Sequence, residues 1–261
     1  MSQEHHGKQS THLLALPALA LSCLIGSSPS LAQVQEWTFE IQPYVMNTSL
    51  EGDAGVGHVD GDDLTSESTD ILEALKSGGM LHAEAIHESG WGVALDYGFM
   101  DLNNGVSSSA EGVRDVKLRQ GVLQADVMFR TMIGNSTLDY LGGIRWWDSS
   151  LELEKTSEDG SIESDVSEEW LDLYVGARWI KPIGQDWHFL LRGDLGGFGL
   201  DAEMTSSFST GIQYQLNEKL SLDLLYKGTW VEYEKESSNK EERYQYDAVT
   251  HGPVMGVKFK F

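Results

Sequence analysis

The chain ends on "HGPVMGVKFKF", residues 251–261. Read back from the last residue it alternates strictly. Phe261, Phe259, Val257 and Met255 fall on one face, and Lys260, Lys258, Gly256 and Val254 on the other. A period of two is the mark of a β-strand, whose successive side chains point to opposite sides. Chain ends usually fray, whereas this one closes inside a strand on an aromatic ring. For a chain of formal net charge −23, such an ending makes sense only if the apolar face meets something other than water.

The same period recurs upstream. Trp91, Val93, Leu95, Tyr97 and Phe99 alternate with Gly92, Ala94, Asp96, Gly98 and Met100; Leu171, Leu173, Val175, Ala177 and Trp179 alternate with Asp172, Tyr174, Gly176 and Arg178. Leu222, Leu224, Tyr226, Gly228 and Trp230 repeat the pattern. Ten strands are expected, at about 36–48, 79–88, 90–102, 115–132, 136–152, 168–182, 186–198, 203–215, 219–234 and 244–261, with eight as the alternative because the pair around "GGFGLDAEM" is weakly patterned. Around Gln120 and Gly121 the apolar residues change face, which predicts a bulge.

The connections alternate as well. "HESG", "MIGNS", "KPIGQD" and "LNEK" are short, whereas most of the intervening ones are long. Short turns on one side and long loops on the other are the asymmetry of a barrel crossing an outer membrane, and an even strand count puts both termini on the periplasmic side. Lipid offers no hydrogen bonds, so the last strand must pair with the first. The expected fold is all-β, a closed antiparallel up-and-down transmembrane β-barrel.

The bulk numbers agree. Of 261 residues 40% are hydrophobic, yet 8 Trp, 9 Tyr and 8 Phe are more aromatics than a disordered chain carries. The acidic balance argues against nucleic acid as a partner. Residues 1–32 read as a secretory signal peptide, with Lys8 before the apolar run Leu13 to Ile25 and a cut expected after Ala32. A lipoprotein cut before Cys23 is a weaker alternative. Cys23 is the only cysteine, so residues 33–261, the expected barrel with acidic extracellular loops, contain no thiol.

From "EWTFEIQPYVM" through "GGIRWWD" and "GGFGLDAE" to "GPVMGVKFKF", the chain resembles the OmpA-like barrel superfamily of Gram-negative outer-membrane proteins. The resemblance implies architecture more than activity. It also implies that Val257, Phe259 and Phe261 form the signal read by the barrel assembly machinery. No peptidoglycan-binding domain is expected, so the wall-anchoring role of longer relatives is not implied.

By parity the inward face is ionic: Glu40, His82, Glu84, Asp96, Asp126, Arg130, Asp139, Arg145, Arg178, Arg192, Asp194, Asp223, Lys227 and Lys258. In a narrow lumen these groups need one another as partners. The expected role is structural, or that of a narrow passive channel preferring cations. Among the alternatives, a surface enzyme, protease or lipid A modifying, would use His58 beside Asp60, Asp62 and Asp63, or His251 after Asp247 and Thr250. No serine in a recognisable nucleophile setting accompanies either. A soluble periplasmic barrel would need its apolar face inward.

Residues 51–77 and 152–169 each hold 8 acids against 1 Lys. They are expected as acidic outer loops, able to take divalent cations weakly and to meet lipopolysaccharide. No cofactor is expected. Ser68 or Thr69 is placed to cap a short helix presenting Ile71, Leu72 and Leu75. The tryptophans, Trp37, Trp91, Trp146, Trp147, Trp170, Trp179, Trp187 and Trp230, are expected at the membrane interfaces.

Overall fold

The computed structural model describes residues 36–56, 59–66, 78–101, 113–157, 160–235 and 243–261. The segment expected to be cleaved, His58 and the expected helix at 68–75 lie outside them. The strands are β1 (Trp37–Met46), β2 (Ser49–Val56), β3 (Val59–Ser66), β4 (Gly78–His87), β5 (Trp91–Asp101), β6 (Val113–Ile133), β7 (Ser136–Ser157), β8 (Gly160–Pro182), β9 (Trp187–Gly197), β10 (Met204–Asn217), β11 (Leu220–Lys235) and β12 (Tyr244–Lys260). From β4 to β12 each strand pairs with the next, and β1 pairs with both β4 and β12.

The terminal stripe is the seam. Ile41 lies opposite Phe259 and Val45 opposite Met255, and the Phe261 amide donates to the Phe39 carbonyl at 2.9 Å. The strands β1 and β2 are one line broken at Asn47 and Thr48: both keep the same register on β12, with Met46 opposite Val254 and Ser49 opposite His251. Counted so, the barrel has ten strands. Strand β3 pairs with β2 on the edge where β4 pairs with β1 lower down.

Along the long walls the two faces exchange chemistry at one height. On β8, Leu171, Leu173 and Val175 are exposed apolar side chains on the outside, while Asp172 is buried. Above Trp170 the outside carries Asp165, Ser167 and Glu169, all exposed, and Trp170 itself is 3% exposed inside. The same parity holds on β1 and β2, where Trp37 and Phe39 face out below, and Leu50 and Ala54 are buried inside above. Below the change the outer face is an apolar band that includes Trp91, Leu95, Val127, Ile144, Leu195, Phe208, Leu224 and Trp230. No aqueous surface sustains such a band. The lower barrel is the membrane span, and above it the walls stand in water.

Strand length sets how far they stand. Strands β6, β7 and β8 have 21, 22 and 23 residues, so β8 reaches about 75 Å at roughly 3.3 Å per residue, against a membrane band about 25 Å tall. By contrast β5 and β9 have 11 residues each. The upper walls therefore separate into two facing groups, β6, β7 and β8 on one side and β11, β12, β2 and β3 on the other. Leu118, Trp147, Leu151, Leu153 and Trp170 from the first pack on Leu50, Ala54, Val231, Tyr233, Tyr244, Tyr246 and Ala248 from the second. That is a small β-sandwich with its own apolar core. Where β9 and β10 stop short, the wall is notched, and β8 meets β11 through side chains: Trp170 stacks on Tyr233 at 4.2 Å, and Lys235 donates to Glu168 at 2.7 Å.

Several expectations change accordingly. No bulge occurs at Gln120 and Gly121; pairing runs through them on both sides, and the irregularity of β6 lies between Val113 and Asp115. The apolar set changes face there because the surroundings change from lipid to water, with Leu118 turned in and Arg119 out. Residues 49–56 and 59–66 are strands rather than loop, the first held by pairing with β12 and the second by pairing with the first. Most of 152–169 is the top of β7 and β8. Trp147 and Trp170 are buried in the sandwich core, not at a membrane interface.

Candidate functional site

Glycine on the lumenal face leaves space beside a neighbouring strand for that strand's charged side chains. A Cβ on Gly143 would lie 2.3 Å from the Ala125 carbonyl oxygen and 2.8 Å from an Asp126 oxygen, so only glycine leaves room for the charged layers beside it.

The lowest of these layers joins four strands. Arg130 donates to both oxygens of Asp139 at 2.7 and 3.0 Å and to Glu84 at 3.2 Å. Arg178 reaches the same two acids, Glu84 at 2.8 Å and Asp139 at 2.6 Å. Ile86, Ala94, Met128 and Leu141 form a buried apolar cluster in the same part of the lumen. His82 links Glu84 at 3.5 Å to Asp96 at 3.1 Å, and the Tyr44 hydroxyl donates to the other Asp96 oxygen at 2.8 Å.

Higher up, Arg145 donates to Asp194 at 2.7 Å and lies over the Tyr174 ring at 4.7 Å. Arg192 holds Asp126 at 3.2 Å, and the Trp147 indole donates to Asp172 at 2.8 Å. Beside the seam, Gln42 and Gln213 donate to the two oxygens of Asp223 at 3.0 and 2.7 Å, and Lys258 approaches Glu40 at 3.6 Å and Asp223 at 3.9 Å. Low dielectric makes each pair strong and each unpaired member costly.

The fourteen residues expected on the inward face, Glu40, His82, Glu84, Asp96, Asp126, Arg130, Asp139, Arg145, Arg178, Arg192, Asp194, Asp223, Lys227 and Lys258, all lie on the lumenal side. Lys227 differs from the rest in having no salt bridge among the described residues. Asp139, Arg145 and Asp172 are no more than 1% exposed. Sequence reasoning passed over the neutral and aromatic partners, Tyr44, Gln42, Gln124, Gln213 and Tyr174, and also Asp172. All of them share the parity that located the charged set.

The remaining candidates sit apart. His251 faces outward, its Nδ1 2.7 Å from the Tyr226 hydroxyl and its Nε2 3.5 Å from Glu51. Thr250 lines the lumen instead. The side chains of Asp60, Asp62 and Asp63 lie outside the described residues. In the sandwich, burial and then the nearby Glu168 carboxylate push the Tyr233 phenol up to about 12, and burial pushes Tyr244 and Tyr246 further in the same direction.

No family model and no curated protein matches the chain. Among solved structures it is similar to the outer membrane protease OmpT from Escherichia coli, at TM-score 0.49 and 10% identity over 90% of this chain and 100% of that one. The translocator domain of the autotransporter NalP from Neisseria meningitidis gives 0.43 and 12% over 87% and 88%. Ail, the attachment invasion locus protein of Yersinia pestis, gives 0.36 and 11% over 87% and 99%.

Proposed function

We propose that this chain is an outer-membrane protein whose barrel does not conduct, and whose role is to hold a rigid acidic β-sandwich outside the cell. The observation carrying this reading is the filling of the lumen. Its charges reach across the interior to pair with one another, and the space described among them is a cavity of about 60 Å³. A cation path would need open, wetted carboxylates along its length. The acids here are engaged by Arg130, Arg178, Arg192 and Arg145 instead.

Outside, the sandwich offers solvated carboxylates, among them Glu51, Asp53, Glu232 and Asp247, just above the apolar band. Facing anionic lipopolysaccharide, they would rely on bridging divalent cations. Val257, Phe259 and Phe261 fit a recognition strand for the barrel assembly machinery, with both termini in the periplasm. The test is single-channel recording of the refolded chain in a planar bilayer, with insertion verified by heat-modifiable gel migration. Silence is expected; steady cation-selective steps from the inserted barrel would replace this reading with that of a pore.

A further inference from the structure

The lumenal cavity has a one-sided chemistry. It lies between the charged layers and the sandwich core, lined by Tyr44, Asp96, Gln120, Gln124, Arg145 and Lys227 and covered by apolar side chains that include Met100 and Trp147. Three buried donors of this wall have no partner: Arg145 Nε, Arg145 Nη1 and the Gln120 amide nitrogen. Arg145 is 1% exposed and Gln120 4%, so bulk water does not serve them. The Lys227 ammonium adds a positive charge on the same wall. The one carboxylate there, Asp96, has both oxygens taken, by Tyr44 at 2.8 Å and by His82 at 3.1 Å.

We propose that this cavity is a binding site for a small inorganic anion of the size of chloride, held by the Arg145 guanidinium, the Lys227 ammonium and the Gln120 amide. The Thr48, Thr229 and Thr250 hydroxyls on the same wall can donate as well as accept, so its unpartnered N–H groups and two cationic side chains suit a group that only accepts. A buried anion needs fixed, charged donors to replace its hydration, and Arg145 supplies them rigidly, because its remaining nitrogen is tied to Asp194 at 2.7 Å. The volume of about 60 Å³ admits a halide or nitrate and excludes a nucleotide or sugar phosphate.

Bromide is the probe. Crystals of the refolded chain grown in sodium bromide should show an anomalous peak within hydrogen-bonding range of Arg145 and Lys227. In detergent at constant ionic strength, chloride, bromide and nitrate should raise the melting temperature saturably over gluconate, and Lys227→Met and Gln120→Leu should abolish that rise. Water-only density in the cavity would overturn the proposal. So would a peak without the melting shift, which marks an adventitious ion, or a shift that survives Gln120→Leu. If Lys227→Met does not fold, the wild-type bromide peak and Gln120→Leu still decide.

Discussion

Arg178 shows what a single side chain carries in this lumen. It closes a ring with Arg130 around Glu84 and Asp139, and both acids are almost wholly buried. Removing it leaves the two carboxylates to Arg130, with only His82 beside Glu84 to help. Arg178→Ala should lower the stability of the folded barrel by about 3–5 kcal/mol, the range for stranding a buried charge, read as a fall in the temperature at which the heat-modifiable band converts. An unchanged transition would mean that the ring is not closed in the folded protein. The charged half of this site was legible residue by residue, because a charge on a lumen-facing position is conspicuous in a strand whose other face is greasy. Gln42, Gln124 and Tyr174 were not, since neutral polar groups look alike in sequence whether they line a lumen or a surface. Lys227 was legible as inward, but nothing local shows that it lacks a carboxylate.

At the scale of elements, the break between β1 and β2 matters most. Asn47 turns its carbonyl over β12, where a Cβ on Gly252 would come within 1.8 Å of it. Gly252→Ala should therefore part β12 from the chain at the level where membrane wall becomes sandwich, and lose about 2–4 kcal/mol, measured by urea unfolding in detergent. Stretches such as "EGDAGVGHVDGDD" read as loop because glycine and aspartate are turn formers. Long-range pairing of β2 with β12, and of β3 with β2 in turn, overrides that preference, and no local signal announces it. The sandwich core makes a separate prediction. The Tyr233 phenol, ordinarily near 10, is held up to about 12 in the fold, so the unfolded chain releases its proton first. Stability present below about pH 10 should then be lost as pH rises toward 12. Absorbance at 295 nm should show Tyr233, Tyr244 and Tyr246 ionising only as tryptophan fluorescence reports opening of the sandwich. Ionisation at ordinary pH with the fluorescence intact would contradict their burial.

For the whole molecule, strand parity was readable throughout, and with it the closed barrel and the inward or outward aspect of nearly every wall residue. The meaning of parity was not. A sequence carries no mark of where its solvent changes, so the switch of apolar residues near Gln120 passed for an extra residue in the ladder. It is where the wall leaves the hydrocarbon. That switch recurs at one height on strands from both sides of the barrel, and it fixes the depth at which the molecule floats. One step outward would strip lipid from Leu171 and Trp230, and one step inward would drag Glu169 and Glu232 into hydrocarbon, so both directions are uphill. In a bilayer thinner or thicker than the band, the lipid has to pucker to meet the protein, which keeps its own waterline.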